Sequence, residues 1–260
     1  MIVRKEVRGL KKNIIYYLFF VLASRLILSL SLGVAMPYGD LIYVFAFAFP
    51  MIVGHVYAGN DKKKREEIAG VIEIEPRLFS FSKEKMRLLI PILFPTVAVI
   101  LLLSYLTHLF LTQIGILSTN EITGGVIDGI LIYALAPSVL EEMLFRYLPI
   151  KLIAPYSKKW TVALSSILFA VYHLNPSQLL YALAAGVIFI IADICLESVW
   201  PSLILHFLNN TASVIASRLD EKGTWLFLSV TGALTVASIL ITVKKRKTYT
   251  ELIRTRIRGS

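Results

Sequence analysis

Hydrophobic residues in this chain gather into eight runs separated by polar breaks, at 13–36, 41–58, 88–111, 124–145, 160–174, 178–196, 200–216 and 225–243. A helix needs roughly 20 apolar residues to cross about 30 Å of hydrocarbon, and most of the runs approach that length. The fifth and seventh are short. The pattern predicts an all-α fold, a polytopic integral membrane helix bundle of about eight transmembrane helices. No internal repeat, low-complexity tract or soluble domain interrupts it, so 1–260 reads as a single membrane-embedded unit. The first run, at about 24 residues, is too long for the apolar part of a cleavable signal.

Composition agrees with the pattern. The chain is 57% hydrophobic and 17% charged, with a mean hydropathy of +0.73. Soluble domains carry about 25% charged residues, so an ordinary soluble fold is excluded. A net charge of +10 would suggest nucleic acid in a soluble protein, but here its distribution matters more. Of the 27 Lys and Arg residues, all but Arg25, Arg218 and Lys222 lie in four places: the N-terminal tail, 59–87, 146–159 and the tail after Val243. An even number of spans puts all four on one side, and the positive-inside rule makes that side, with both termini, cytoplasmic. The 59–87 segment, with Lys62-Lys63-Lys64-Arg65, is expected to be a solvated basic loop with a short amphipathic helix against anionic lipid. No nucleic-acid partner is implied. The only cysteine, Cys195, leaves no internal disulfide or multi-cysteine zinc site and reads as a small core residue.

Ionisable residues inside spans are costly and therefore informative. Arg25 can snorkel or pair with an acid, and His55 and His108 sit near run ends. Asp128 and Asp193 are open to either a direct role or hydrogen bonding between helices. The remainder cluster between 141 and 210. In Val139-Leu-Glu-Glu-Met-Leu-Phe-Arg146, Glu142 and Arg146 are four apart, the favourable acid-before-base order on one helix face. Glu141 is turned about 100° away and left free to face a cavity, as suits a general base. Phe169 and His173 share a face of the fifth run, and His206 and Asn210 share a face of the seventh. A carboxylate, an imidazole, and an imidazole with a carboxamide can thus converge from three helices. Such a set supplies a base for water and donors for an oxyanion. The residues alone leave open hydrolysis, proton- or ion-coupled transport, and a structural polar network.

Glu-Glu-x-x-x-Arg (141, 142, 146), Phe-x-x-x-His (169, 173) and His-x-x-x-Asn (206, 210), in that order on successive runs, resemble the type II CAAX prenyl endopeptidase family. That family lies within a wider group of membrane-embedded abortive-infection and bacteriocin-processing proteases. The resemblance covers roughly 124–216 and leaves the first three runs without a signature. It implies hydrolysis of the peptide bond after a prenylated cysteine in a C-terminal CAAX motif, with release of a tripeptide. It also implies a conical cavity open to the cytoplasm, with side openings that admit the prenyl chain. Carried over, Glu141 and His173 hold and deprotonate the attacking water, and His206 and Asn210 form the oxyanion hole. Glu142, Arg146 and Phe169 support them.

The resemblance implies a metal-free glutamate mechanism without a cofactor. The zinc alternative would use Glu141, His173 and His206 as three ligands, although no His-Glu-x-x-His pair is present. Expected partners are a prenylated C-terminal peptide and membrane lipid, with the chain acting as a monomer. The expected location is the cell membrane in a prokaryote or the endoplasmic reticulum membrane in a eukaryote. Rival readings are a protease of the same fold acting on a non-prenylated peptide, such as a bacteriocin leader, and a proton-coupled transporter. One tension is built into the topology. Glu141 falls near the cytoplasmic end of the fourth run, whereas His173 closes a fifth run of only about 15 residues. The hairpin at Asn175-Pro176 is therefore expected to be submerged, which irregular backbone tolerates only within protein or beside a wet cavity.

Overall fold

A computed structural model describes residues 2–30, 38–69, 78–80, 82–116 and 125–258. Among these the chain is almost wholly helical, with no strand. The helices are α1 (Ile2–Ser29), α2 (Tyr38–Ala69), α3 (Lys83–Gln113), α4 (126–152), α5 (Lys158–Tyr172), α6 (Pro176–Leu196), α7 (Trp200–Ala216), α8 (Glu221–Lys244) and α9 (Arg246–Ile253). The first eight occupy the eight apolar runs. Five of them, α1, α2, α3, α6 and α8, are long and apolar enough to cross a membrane. The α5 and α7 helices have 15 and 17 residues, and α4 is broken into short segments.

Several boundaries differ from those the sequence suggested. The α2 helix continues through Ala69, and α3 begins at Lys83 behind the N-cap Ser82, whose side chain accepts the Lys85 N–H. Much of the expected 59–87 loop is therefore helix, while 70–77 and 81 lie outside the described residues, as do 31–36 of the first run and residue 124. The α4 helix does not stop at 145 but runs to Leu152. It alternates between α segments and two wide π-turns, Ile130–Leu135 and Met143–Tyr147. The second turn lets the Leu148 N–H reach back to the Met143 carbonyl, so the helix passes Pro149 without a break. Arg146, counted by sequence with a basic loop, is consequently a fully buried helix residue.

The helices α4–α7 form the centre. The α1–α2 pair covers the C-terminal half of α4, α3 covers α6 and α7, and α8 lies against α3. Backbone meets backbone closely where α5 crosses α6: a Cβ placed on Gly186 would stand 2.9 Å from Ser166 Cα. Small residues are what allow membrane helices to approach so closely. On the other flank, the buried Asp61 of α2 accepts hydrogen bonds from Lys12 (3.1 Å), Asn13 (2.9 Å), Tyr156 (3.0 Å) and Arg65. Asn13 also donates to the Leu152 carbonyl at 2.8 Å, which ties α1 and α2 to the end of α4.

Candidate active site

Glu141 and Glu142 lie midway along α4, and their side chains diverge as one helical step requires. Glu142 is fully buried and points toward α7. Its Oε2 lies 3.2 Å from Arg146 Nε, and its Oε1 accepts a 2.8 Å hydrogen bond from His206 Nδ1. Arg146 is itself sandwiched by aromatic faces, 4.4 Å from the Phe169 ring centre and 5.5 Å from that of Phe189. Glu141 points toward α2 and α5. Tyr43 O–H donates to its Oε1 at 3.4 Å, and its Oε2 stands 3.8 Å from His173 Nε2. The two carboxylates also differ in access: the Glu141 side chain keeps 12% of its surface exposed and His173 21%, whereas Glu142 keeps none.

His173 caps the C-terminus of α5, and its Nδ1–H donates to the Phe169 carbonyl at 2.8 Å. A carbonyl can only accept, so Nδ1 carries a proton and Nε2 is the ring nitrogen that faces Glu141. Leu174 follows in the left-handed region at φ 49, and Asn175 caps α6 by accepting the Ser177 N–H. An unbranched-at-Cβ but bulky leucine there carries strain on the order of 1–3 kcal/mol, accepted where the chain must reverse directly beside the His173 ring. The helix lengths also account for the meeting of Glu141 and His173. Because α4 continues to Leu152, Glu141 lies eleven residues, about 16 Å, inside its end. The fifteen residues of α5 return about 22 Å, enough to bring His173 back to the level of Glu141.

The Phe169 ring links the two halves of the site. It meets His173 edge-to-face at 5.0 Å and His206 at 5.8 Å. Asn210 lies one turn beyond His206 on α7, half-buried, with its Oδ1 accepting from Asn209 Nδ2 at 3.4 Å. It has no hydrogen bond to Glu141 or His173. Of the residues singled out by sequence, Glu141 with His173, and Glu142 with Arg146, Phe169 and His206, come together directly. Asn210 is adjacent rather than joined.

Of the other ionisable residues, His108 is exposed on α3 and the remaining four have local partners. Asp193 Oδ1 accepts the Ser202 N–H at 2.9 Å, a remote cap on the helix that carries His206. Asp128 Oδ2 accepts from Gly125 N–H at the start of α4. Arg25 sits over the Tyr172 ring, and His55 is hydrogen-bonded to Tyr147. Sequence reasoning missed Tyr43 and the Glu142–His206 bond. Their partners lie 98 and 64 residues away in sequence, and no periodic pattern marks them. Among the described residues no group of three or more His, Cys, Asp or Glu side chains is arranged to hold a metal ion.

Chemically, the 3.8 Å separation of Glu141 Oε2 and His173 Nε2 is too long for a direct hydrogen bond and short enough for one water to bridge. Residues 124–212, which contain all of the site residues singled out by sequence though not Tyr43, match the family described as Type II CAAX prenyl endopeptidase Rce1-like. No curated protein and no solved structure matches the chain. The family match implies protease, that is hydrolase, chemistry. With five long apolar helices, it marks an integral membrane protein.

Proposed function

We propose, with that family match as premise, that the protein is an intramembrane endopeptidase that cleaves after a prenylated cysteine in a C-terminal CAAX motif and releases the terminal tripeptide. The observation that carries this reading is the Glu141–His173 gap, with the imidazole Nδ1–H held by the Phe169 carbonyl. A water in that gap donates to Glu141 Oε2 and to His173 Nε2, while Tyr43 occupies the other carboxylate oxygen. Glu141 takes the proton as the water attacks the scissile carbonyl, and the same proton then passes to the leaving amine. His206, protonated on both nitrogens with Glu142 as counter-ion, presents Nε2–H to the developing oxyanion, and Asn210 adds its amide. Arg146 balances Glu142 from below, stacked on Phe169. No metal enters this scheme.

The architecture that suits this function has eight spans, with both termini and the mouth of the site on the cytoplasmic side, where the basic segments gather. The short α5 and α7 fit this arrangement, since helices that line a wet cavity need not present a full apolar length to lipid.

Purified protein in nanodiscs, given a farnesylated CAAX peptide beside its unmodified counterpart, tests the reading. Wild type should release the tripeptide from the farnesylated peptide only, with no loss under a zinc chelator. Glu141→Gln should lower the rate by about 10²–10⁴-fold while leaving the protein folded. Equal cleavage of both peptides would remove the prenyl requirement and favour a protease for unmodified membrane-proximal peptides. Inhibition by chelator that is reversed by zinc would replace the metal-free mechanism.

A further inference from the structure

Away from Glu141, a cavity of about 370 Å³ opens among α2, the end of α4, the start of α5, the α6–α7 turn and the C-terminal turn. None of the residues assigned to catalysis lines it. Its wall carries five cationic side chains drawn from four separate places in the sequence: Lys62 and Arg65, Lys151, Lys158, and Arg256. Apolar side chains, among them Leu78, Ile150 and Ile194, complete it. Of the two carboxylates on the wall, Glu197 balances a cation of the same wall, and Asp193 is fully buried, its Oδ2 without a hydrogen-bond partner among the described residues. Glu197 pairs with Arg256, and Asp193 accepts the Ser202 N–H through Oδ1. Lys62 pairs with Glu66, Arg65 with Asp61, and Lys151 lies over the Tyr147 ring, whereas Lys158 pairs with no carboxylate among the described residues.

Two physical facts set this cluster apart from an ordinary basic loop. The positive-inside rule asks only that cations stay on one side of the membrane and gives no reason for them to converge on one concavity. Like charges brought together repel, by about 1 kcal/mol per pair at 4 Å even in water and by more beside an apolar wall. In addition, Lys158 and Lys159 occupy the first turn of α5, which has no acidic residue there. That is the end of a helix where a cation is disfavoured and an anion favoured. The fold thus gathers five cationic side chains around a pocket large enough for an organic ligand, and Lys158 among them brings a charge that no carboxylate balances among the described residues.

We infer that this cavity binds the phosphate group of an anionic phospholipid headgroup. Basic pockets between membrane helices on the cytoplasmic side suit such headgroups. A phosphate there gains charge-assisted hydrogen bonds from the lysines and arginines of the wall.

The test uses the full chain in an uncharged detergent, with unfolding followed by a thiol-reactive dye that reports exposure of the buried Cys195. Three probes are compared: short-chain phosphatidylglycerol, short-chain phosphatidylcholine, and inorganic phosphate. Phosphatidylglycerol should raise the unfolding midpoint by several degrees, phosphatidylcholine much less and inorganic phosphate little. Lys151→Gln/Lys158→Gln should raise the phosphatidylglycerol concentration needed for half the shift by at least about tenfold. Lys159→Gln, which does not line the cavity, should leave it unchanged. An equal shift with inorganic phosphate would replace the lipid with a soluble phosphate ligand. The absence of a phosphatidylglycerol shift, or a shift undiminished in the double variant, would overturn the site. Because no catalytic residue is altered, none of these outcomes depends on protease activity.

Discussion

The α6 and α8 helices are alike in composition and length, yet 56% of the α6 span is buried within the protein and only 6% of the α8 span. The α6 helix holds Asp193 against α7 and presses Gly186 onto α5. In α8 only Ser238 is buried, and hydroxyls such as those of Ser229, Thr235 and Thr242 bond the carbonyls of their own preceding turn, with Thr235 and Thr242 also reaching carbonyls of α3, those of Phe94 and Pro91. Apolar composition places a helix in the membrane but does not say whether it faces lipid or protein. Ionisable and small side chains do, because lipid offers a charge no partner and offers a helix no reason to approach closely. The interior around α4–α7 should therefore be intolerant of change, and the α8 rim tolerant.

The largest break in this contrast is expected at Arg146. With both partners fully buried, Arg146→Met takes from the Glu142 charge its guanidinium partner and leaves it chiefly to the His206 hydrogen bond. Removing one member of a buried pair costs about 3–5 kcal/mol, whereas replacing both with neutral groups costs far less. In thermal unfolding read through Cys195, Arg146→Met should lower the midpoint sharply, and Glu142→Gln/Arg146→Met should recover most of the loss. Equal midpoints for the single and double variants would mean that the pair is not electrostatically coupled.

That pair also shows what was legible beforehand. The divergence of Glu141 from Glu142 follows from one helical step, and the Glu142–Arg146 spacing from one turn, so both could be read along a single segment. The bond from His206 to Glu142 depends on how α7 docks against α4, and Tyr43 reaches Glu141 only because α2 folds back beside α4. Neither leaves a local trace. The end of α4 was misplaced for a different reason. The charge of Arg146 and the proline at 149 look like a boundary, and the π-turn that carries the helix past them has no simple sequence signal. Arg146 was thus both correctly paired and wrongly counted among the loop charges.

A smaller effect is expected where α5 and α6 touch. A methyl group on Gly186 would meet the Ser166 backbone at 2.9 Å, a neighbour that cannot rotate away. Gly186→Ala should cost about 1–3 kcal/mol, as overpacking does, with the two helices forced slightly apart. Because Ser166 lies two turns from His173 on the same helix, peptidase activity at low temperature should fall together with the midpoint. A midpoint equal to wild type would show that this crossing is looser than the geometry indicates.

The matching change on the rim should have the opposite sign and the smallest size. Gly232 lies in α8 with nothing within 4 Å of where a Cβ would stand, so Gly232→Ala introduces no clash. Alanine loses less backbone freedom in a helix than glycine, a gain of about 0.5–1 kcal/mol when the unfolded chain is disordered. A membrane helix largely keeps its helical form when its neighbours separate, so most of that gain is present in both states and cancels. The expected outcome is a midpoint equal to wild type or slightly above it, with unchanged activity. A clear destabilisation would mean that α8 meets a partner across its exposed face, and the rim would then be an interface rather than a lipid-facing surface.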